Sequence, residues 1–134
     1  MLWGVGTDII EIDRITKVIE RFDHRFLQRV FTPREIETAR GRGALFNAAL
    51  AARFAAKEAI LKALGTGLRG LKWVDIEIVS RESGRPEVVL RGEAEILAGE
   101  KNIASIHVSI SHCRNYAVAF AAAERNDGFE TGNR

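Results

Sequence analysis

Cysteine is nearly absent. The one cysteine, Cys113, excludes an intrachain disulfide and any zinc site built on cysteines. No apolar run approaches the roughly 20 residues of a membrane span, so no membrane partner is expected. The N-terminus lacks a charged stretch leading into a hydrophobic one, so no signal peptide is expected and the sequence reads as cytoplasmic. Excess charge is scarce too: the formal net charge is +2 and the pI about 9.0, a weak pointer to anionic partners that many plain enzymes share. Gly4-Val5-Gly6 is not a dinucleotide fingerprint. Gly65-Thr66-Gly67 follows a helix instead of preceding one, so it is no Walker loop. No basic, aromatic-rich strand of the kind that binds RNA is present, which disfavours a nucleic-acid module.

What remains is an ordinary globular balance, 46% hydrophobic and 28% charged, over 134 residues. One domain over residues 1–125 is expected, followed by a polar, flexible tail over 126–134. Leu2 to Ile10 reads as a strand in which Trp3, Val5, Thr7 and Ile9 alternate against Gly4, Gly6 and Asp8. Helical spacing then runs from Ile12 to Phe26 as one helix. Thr32-Pro33-Arg34-Glu35 is a capping box that opens the next helix, and Gly41 and Gly43 interrupt it. A long alanine-rich helix follows over about 45–64. The period then changes to two. Val74 to Ile78 reads as a half-buried strand, Ser83 to Pro86 as a turn, and Glu87 to Arg91 as the returning strand. A short helix over 92–101 precedes two strands, Ser105 to Ser111 and Tyr116 to Ala123. The order predicts a compact α+β domain with a mostly antiparallel sheet packed on the long helix.

Charged residues on that helix do not gather on one face. Arg53 and Lys57 point into the apolar stripe of Phe46, Leu50, Phe54 and Ile60. They either snorkel to water from the core edge or contact phosphates. Glu58 and Lys62 lie on another side, flanked by Ala51 and Ala55. They are a surface ion pair, or the alanines leave room for a ligand, a metal or another chain to approach the carboxylate. Asp8, at a strand end, is a helix N-cap or a magnesium ligand. His112, at a strand exit, is a structural histidine or a phosphate contact. On the first helix Arg14, Lys17, Arg21 and Arg25 form one basic stripe, a solvated face or a dock for an acidic partner.

Three segments tie these alternatives together: GVGTDIIEIDRI at 4–15, RFAAKEAILKALGTG at 53–67 and SISHCRNYAVA at 109–119. In that order and separation they closely resemble holo-[acyl-carrier-protein] synthase, the small bacterial class of 4'-phosphopantetheinyl transferases. The likeness runs from Leu2 to Glu124. It implies the phosphopantetheinyl transferase fold and a magnesium-dependent transfer of 4'-phosphopantetheine from coenzyme A to a serine of apo acyl carrier protein, releasing adenosine 3',5'-bisphosphate. Asp8 and Glu58 are then the metal ligands, and Asp8, Glu58 and Lys62 the catalytic set. Arg53, Lys57, Lys62, Gly65 and His112 become the coenzyme contacts, and Arg14, Lys17, Arg21 and Arg25 the carrier-docking residues, with apolar residues near the start of their helix adding contacts. The serine proton passes to Glu58 through a water, in preference to Lys62. The resemblance also implies a homotrimer with active sites at subunit interfaces. A carboxylate-metal phosphohydrolase acting on coenzyme A or nucleotides is the rival reading.

Overall fold

The computed structural model describes residues 1–126. In chain order it contains β1 (Leu2–Glu11), α1 (Ile12–Phe22), α2 (His24–Val30), α3 (Pro33–Arg40), α4 (Phe46–Leu64), β2 (Ile76–Ser80), β3 (Pro86–Leu90), α5 (Gly92–Glu100), β4 (Ile103–His112) and β5 (Tyr116–Arg125). Short 3-10 turns at Gly43–Leu45 and Trp73–Asp75 precede α4 and β2. All strand pairs are antiparallel. They form a three-stranded sheet, β1-β5-β4, and a separate hairpin, β2-β3. The expected α+β architecture is present, with α4 as its axis. The tail reading falls on residues outside the described ones, apart from Asn126. The Asn126 N–H donates to the Asn102 carbonyl at 2.9 Å, and Asn102 Nδ2 donates to the Asn126 carbonyl at 2.8 Å.

Local chemistry sets the ends of the elements. Thr32 Oγ1 accepts from the Glu35 N–H at 3.1 Å while the Thr32 N–H donates to Glu35 Oε1 at 2.9 Å, so the capping box closes both ways and Pro33 opens α3. Gly65 ends α4 with φ of 77°, and the Thr66 N–H reaches back to the Leu61 carbonyl at 3.1 Å. The first helix is shorter than its periodicity predicts. Asp23, at φ of 49°, breaks the run between α1 and α2 and turns the second helix so that Leu27 and Val30 are buried. Arg25 therefore sits on α2, and the basic stripe is divided between two helices.

Three burial patterns invert the expectation. On β1 the small row, Gly4, Gly6 and Asp8, faces α4, while Val5 and Ile9 are 51% and 64% exposed. On β5 only Ala117, Ala119, Ala121 and Ala123 are buried, and Val118 and Phe120 face out. On β2 both faces are buried, Glu77 included. For β1 and β5 the cause is α4, which is buried nearly all round. Its alanines, among them Ala55, Ala56, Ala59 and Ala63, make no opening for a ligand. The strands of this same chain, β1 and β5, fill the space at close range. Among the described residues no helix is long and apolar enough to cross a membrane.

Candidate active site

The close contact of β1 with α4 brings Asp8, Glu58 and Lys62 together. Lys62 Nζ lies 3.3 Å from Asp8 Oδ1 and donates to the Thr7 carbonyl at 2.9 Å. The Asp8 side chain is 19% exposed and that of Lys62 is 56% exposed, so the cluster opens to solvent on the lysine side. Asp8 is not a helix cap: Glu11 precedes α1, and no side chain caps that helix. Nor do Glu58 and Lys62 form an ion pair with each other, since among the described residues the Glu58 carboxylate has no hydrogen-bond or ion-pair partner. Partial burial raises the pKa of Glu58, the Asp8 charge raises it further, and Lys62 opposes both.

Two like-charged carboxylates beside one ammonium suit a hard divalent cation. No group of three or more metal-binding side chains exists among the described residues. Magnesium commonly takes one or two carboxylates and completes its shell with substrate phosphates and water, so Asp8 and Glu58 fit that ion with a phosphate ligand present.

A second site lies elsewhere on α4. Arg53 and Glu58 are five residues apart, so their side chains leave the helix about 140° from each other. Arg53 is 2% exposed. Its Nη1 donates to the Ala49 carbonyl at 3.1 Å and its Nη2 to Ser80 Oγ at 3.0 Å. Its Nε is buried without a partner, and burial lowers its pKa. Arg42, Arg53, Ser80, Pro86 and His112 line a cavity of about 380 Å³ between α4, the β2–β3 turn and the end of β4. Two arginines, a histidine and an orphaned N–H give it the chemistry to accept an anion. Arg42 was not singled out from the sequence, although an arginine between Gly41 and Gly43 ahead of a long helix is a recoverable signal. Ser80 and Pro86 carry no such signal and are supplied by the hairpin.

Lys57 is the clear correction. Its ammonium is wholly buried and donates to the Val30 carbonyl at 2.6 Å, Glu35 Oε1 at 2.8 Å and the Trp73 carbonyl at 3.1 Å. All three donor directions are used inside the chain, so it is unavailable to coenzyme phosphates or to a neighbouring chain. Gly65 is absent from the lining of this cavity and serves as the left-handed cap of α4. Arg14, Lys17, Arg21 and Arg25 are exposed, and Lys17 is engaged by Asp13 at 3.0 Å. The apolar surface near them is not at the start of α1, where Ile15 is buried. It lies at the far end, where Val18, Phe22 and Phe26 line an open depression with Arg25 and Arg29.

Residues 4–121 match the family described as the 4'-phosphopantetheinyl transferase superfamily. The chain is 50% identical over 119 residues to the holo-[acyl-carrier-protein] synthase of Caldanaerobacter subterraneus subsp. tengcongensis, covering 89% of this chain and 92% of that one. Its fold is similar to the crystal structure of holo-[acyl-carrier-protein] synthase from Neisseria meningitidis, with a TM-score of 0.85, 36% identity, and coverage of 93% and 100%. It is likewise similar to the Helicobacter pylori holo-[acyl-carrier-protein] synthase in complex with coenzyme A, with a TM-score of 0.79, 34% identity, and coverage of 90% and 99%. With a match over nearly its whole length and these likenesses of sequence and fold, the chain belongs to the 4'-phosphopantetheinyl transferase superfamily.

Proposed function

We propose that the protein is a holo-[acyl-carrier-protein] synthase of the cytoplasm, moving 4'-phosphopantetheine from coenzyme A to a serine of apo acyl carrier protein for fatty acid biosynthesis. The observation that carries this reading is the meeting of Asp8, Glu58 and Lys62 at one solvent-open cluster. Asp8 and Glu58 would hold magnesium together with pyrophosphate oxygens, and the bound ion neutralises charge on the phosphates. Lys62 adds a cation beside the reacting phosphorus. The serine oxygen forms the new P–O bond, and the bond to the adenosine 3',5'-bisphosphate leaving group breaks. The serine proton passes through a water to Glu58.

The anion cavity of Arg42, Arg53 and His112 takes the 3'-phosphate of the coenzyme. Arg14, Arg21 and Arg25, with Lys17 at the edge, dock the acidic face of the carrier protein. The outward face of the three-stranded sheet, with Val5, Ile9, Val118 and Phe120 all at least 39% exposed, is where neighbouring copies pack into a homotrimer. Such packing lets one coenzyme use the anion cavity of one chain and the carboxylate cluster of the next.

The test is to incubate the protein with coenzyme A, magnesium and apo carrier protein and to weigh the carrier. A gain of one phosphopantetheine group per carrier is expected, and an unchanged mass overturns the reading. Cleavage of coenzyme A without carrier would instead identify a phosphohydrolase.

A further inference from the structure

The row of β1 that faces α4 is Gly4, Gly6, Asp8 and Ile10. At Gly6 the strand meets the helix backbone itself. A Cβ there would stand 2.1 Å from the Ala59 carbonyl oxygen and 2.8 Å from both the Ala63 nitrogen and the Lys62 Cβ. Ordinary contact between carbon and oxygen needs more than 3 Å, so any side chain at residue 6 forces the strand and helix apart by roughly 1 Å. The atoms it meets belong to the turn that carries Glu58 and Lys62. Two residues farther along the same row, about 7 Å away, is Asp8. The Lys62 ammonium bonds the Thr7 carbonyl, which lies between Gly6 and Asp8.

We propose that Gly6 is a positioning residue for the Asp8–Glu58 cation site: its missing side chain sets the strand–helix separation, and that separation sets the gap between the two carboxylates. Magnesium accepts little variation in ligand distance, at about 2.0–2.1 Å in near-octahedral geometry, so a shift of about 1 Å far exceeds what its bonds to the two carboxylates tolerate. Gly4 supplies an internal comparison. A Cβ there would stand 2.2 Å from the Ala63 carbonyl oxygen, an equally severe clash, but all three of its nearest atoms belong to Ala63. That contact lies beyond Lys62 on the helix and four residues from Asp8 on the strand. Loss of stability and loss of cation geometry therefore separate between the two glycines. The inference rests on the transferase reading, in that it takes Asp8 and Glu58 as the metal pair.

The test uses the full chain with coenzyme A present and titrates magnesium by calorimetry, with manganese followed by electron paramagnetic resonance as a second probe. Gly6→Ala is expected to weaken cation affinity at least tenfold. Gly4→Ala, at a comparable drop in Tm, is expected to leave it within twofold of the parent. Adding Asp8→Glu to Gly6→Ala lengthens the carboxylate arm by one methylene and restores most of the affinity, a recovery that mere destabilisation would not produce. Asp8→Glu alone leaves the strand–helix contact intact, and it keeps the idea testable if Gly6→Ala does not fold. It overreaches the native gap and is expected to bind magnesium at least fivefold more weakly. Equal loss of affinity in both glycine variants, or undiminished affinity in Gly6→Ala or in Asp8→Glu alone, overturns the role of Gly6. A parent protein that neither binds magnesium nor transfers phosphopantetheine overturns the functional reading instead.

Discussion

Lys57 Nζ and Glu35 Oε1 lie 2.8 Å apart with neither side chain exposed. The pair joins α4 to the capping box of α3, and the same carboxylate accepts the Ile78 N–H at 2.7 Å through its second oxygen. Burial lowers the lysine pKa and Glu35 offsets part of that shift, so the ammonium is held by its partners alone. Lys57→Met leaves Glu35 as an uncompensated buried charge and two carbonyls without a donor. It is expected to lose about 3–5 kcal/mol of stability by denaturant unfolding. A loss below about 1 kcal/mol would show that the pair contributes no more than a surface bridge.

Glu58 opposes stability in the absence of a cation. Its raised pKa means that ionising it is harder in the fold than in the unfolded chain. Ionised Glu58 therefore subtracts from stability at neutral pH, and the penalty disappears as pH falls below the unfolded value of about 4.3. Glu58→Gln is expected to raise Tm at pH 7, with the gain closing below about pH 4, and to lower transfer about 10²-fold or more. Thermal melts across pH, paired with carrier mass measurement, check both signs. A Tm below that of the parent at pH 7 would refute the penalty.

The anion cavity is tested by what the substrate lacks. Arg42→Ala and His112→Ala should raise the KM for coenzyme A about tenfold or more, the value of a charge-assisted hydrogen bond. With dephospho-coenzyme A, which has no 3'-phosphate, neither variant should differ much from the parent. Equal losses on both substrates would place the cavity outside coenzyme recognition.

Carrier docking should respect the break at Asp23. Arg21→Glu on α1 and Arg25→Glu on α2 are each expected to raise the carrier KM severalfold and to flatten its salt dependence, with the coenzyme KM unchanged. Lys17→Glu should matter less, because Asp13 already engages that ammonium at 3.0 Å. A coenzyme KM that moves with the carrier KM would count against a docking surface.

The fold was legible where local chemistry decides it. Thr32 to Glu35 announces a helix start, Gly65 an end, and the alternations of β4 and β5 their strands. Periodicity misled where packing is tighter than usual. On β1 the apolar row reads as the inside, yet glycines on the opposite row let the strand lie on α4 and send Val5 and Ile9 outward. On β2, Glu77 reads as solvent-facing but is buried, with Thr32 Oγ1 donating to Oε2 at 2.6 Å and Arg91 Nη1 donating to Oε1 at 2.7 Å. Both partners come from other elements, which no local pattern reports. Asp8, Glu58 and Lys62 were candidates from their surroundings in the sequence, the resemblance gave them a joint role, and only the fold shows why they meet. Lys57 sits in the same motif yet turns inward, because one residue of helix rotates a side chain by about 100°.

The outward sheet face carries the last prediction. Thr7 pairs with Phe120 and Ile9 with Val118 across β1 and β5, so a mostly apolar strip runs along these two strands opposite α4, bordered on β4 by His107, Ser109 and Ser111. Val5→Glu and Phe120→Glu place a carboxylate within it. Each is expected to convert a trimer to monomers by sedimentation velocity and to reduce transfer in proportion, with the monomer still folded. Sharing of sites is checked by mixing subunits. Asp8→Ala removes the carboxylate cluster of a chain and His112→Ala weakens its anion cavity. If each site joins the cluster of one chain to the cavity of the next, co-expression of the two variants should restore roughly a quarter of parental activity by random assembly. Separately purified chains mixed without exchange should restore none. Failure of the co-expressed pair to exceed the sum of its parents would place each complete site within a single chain.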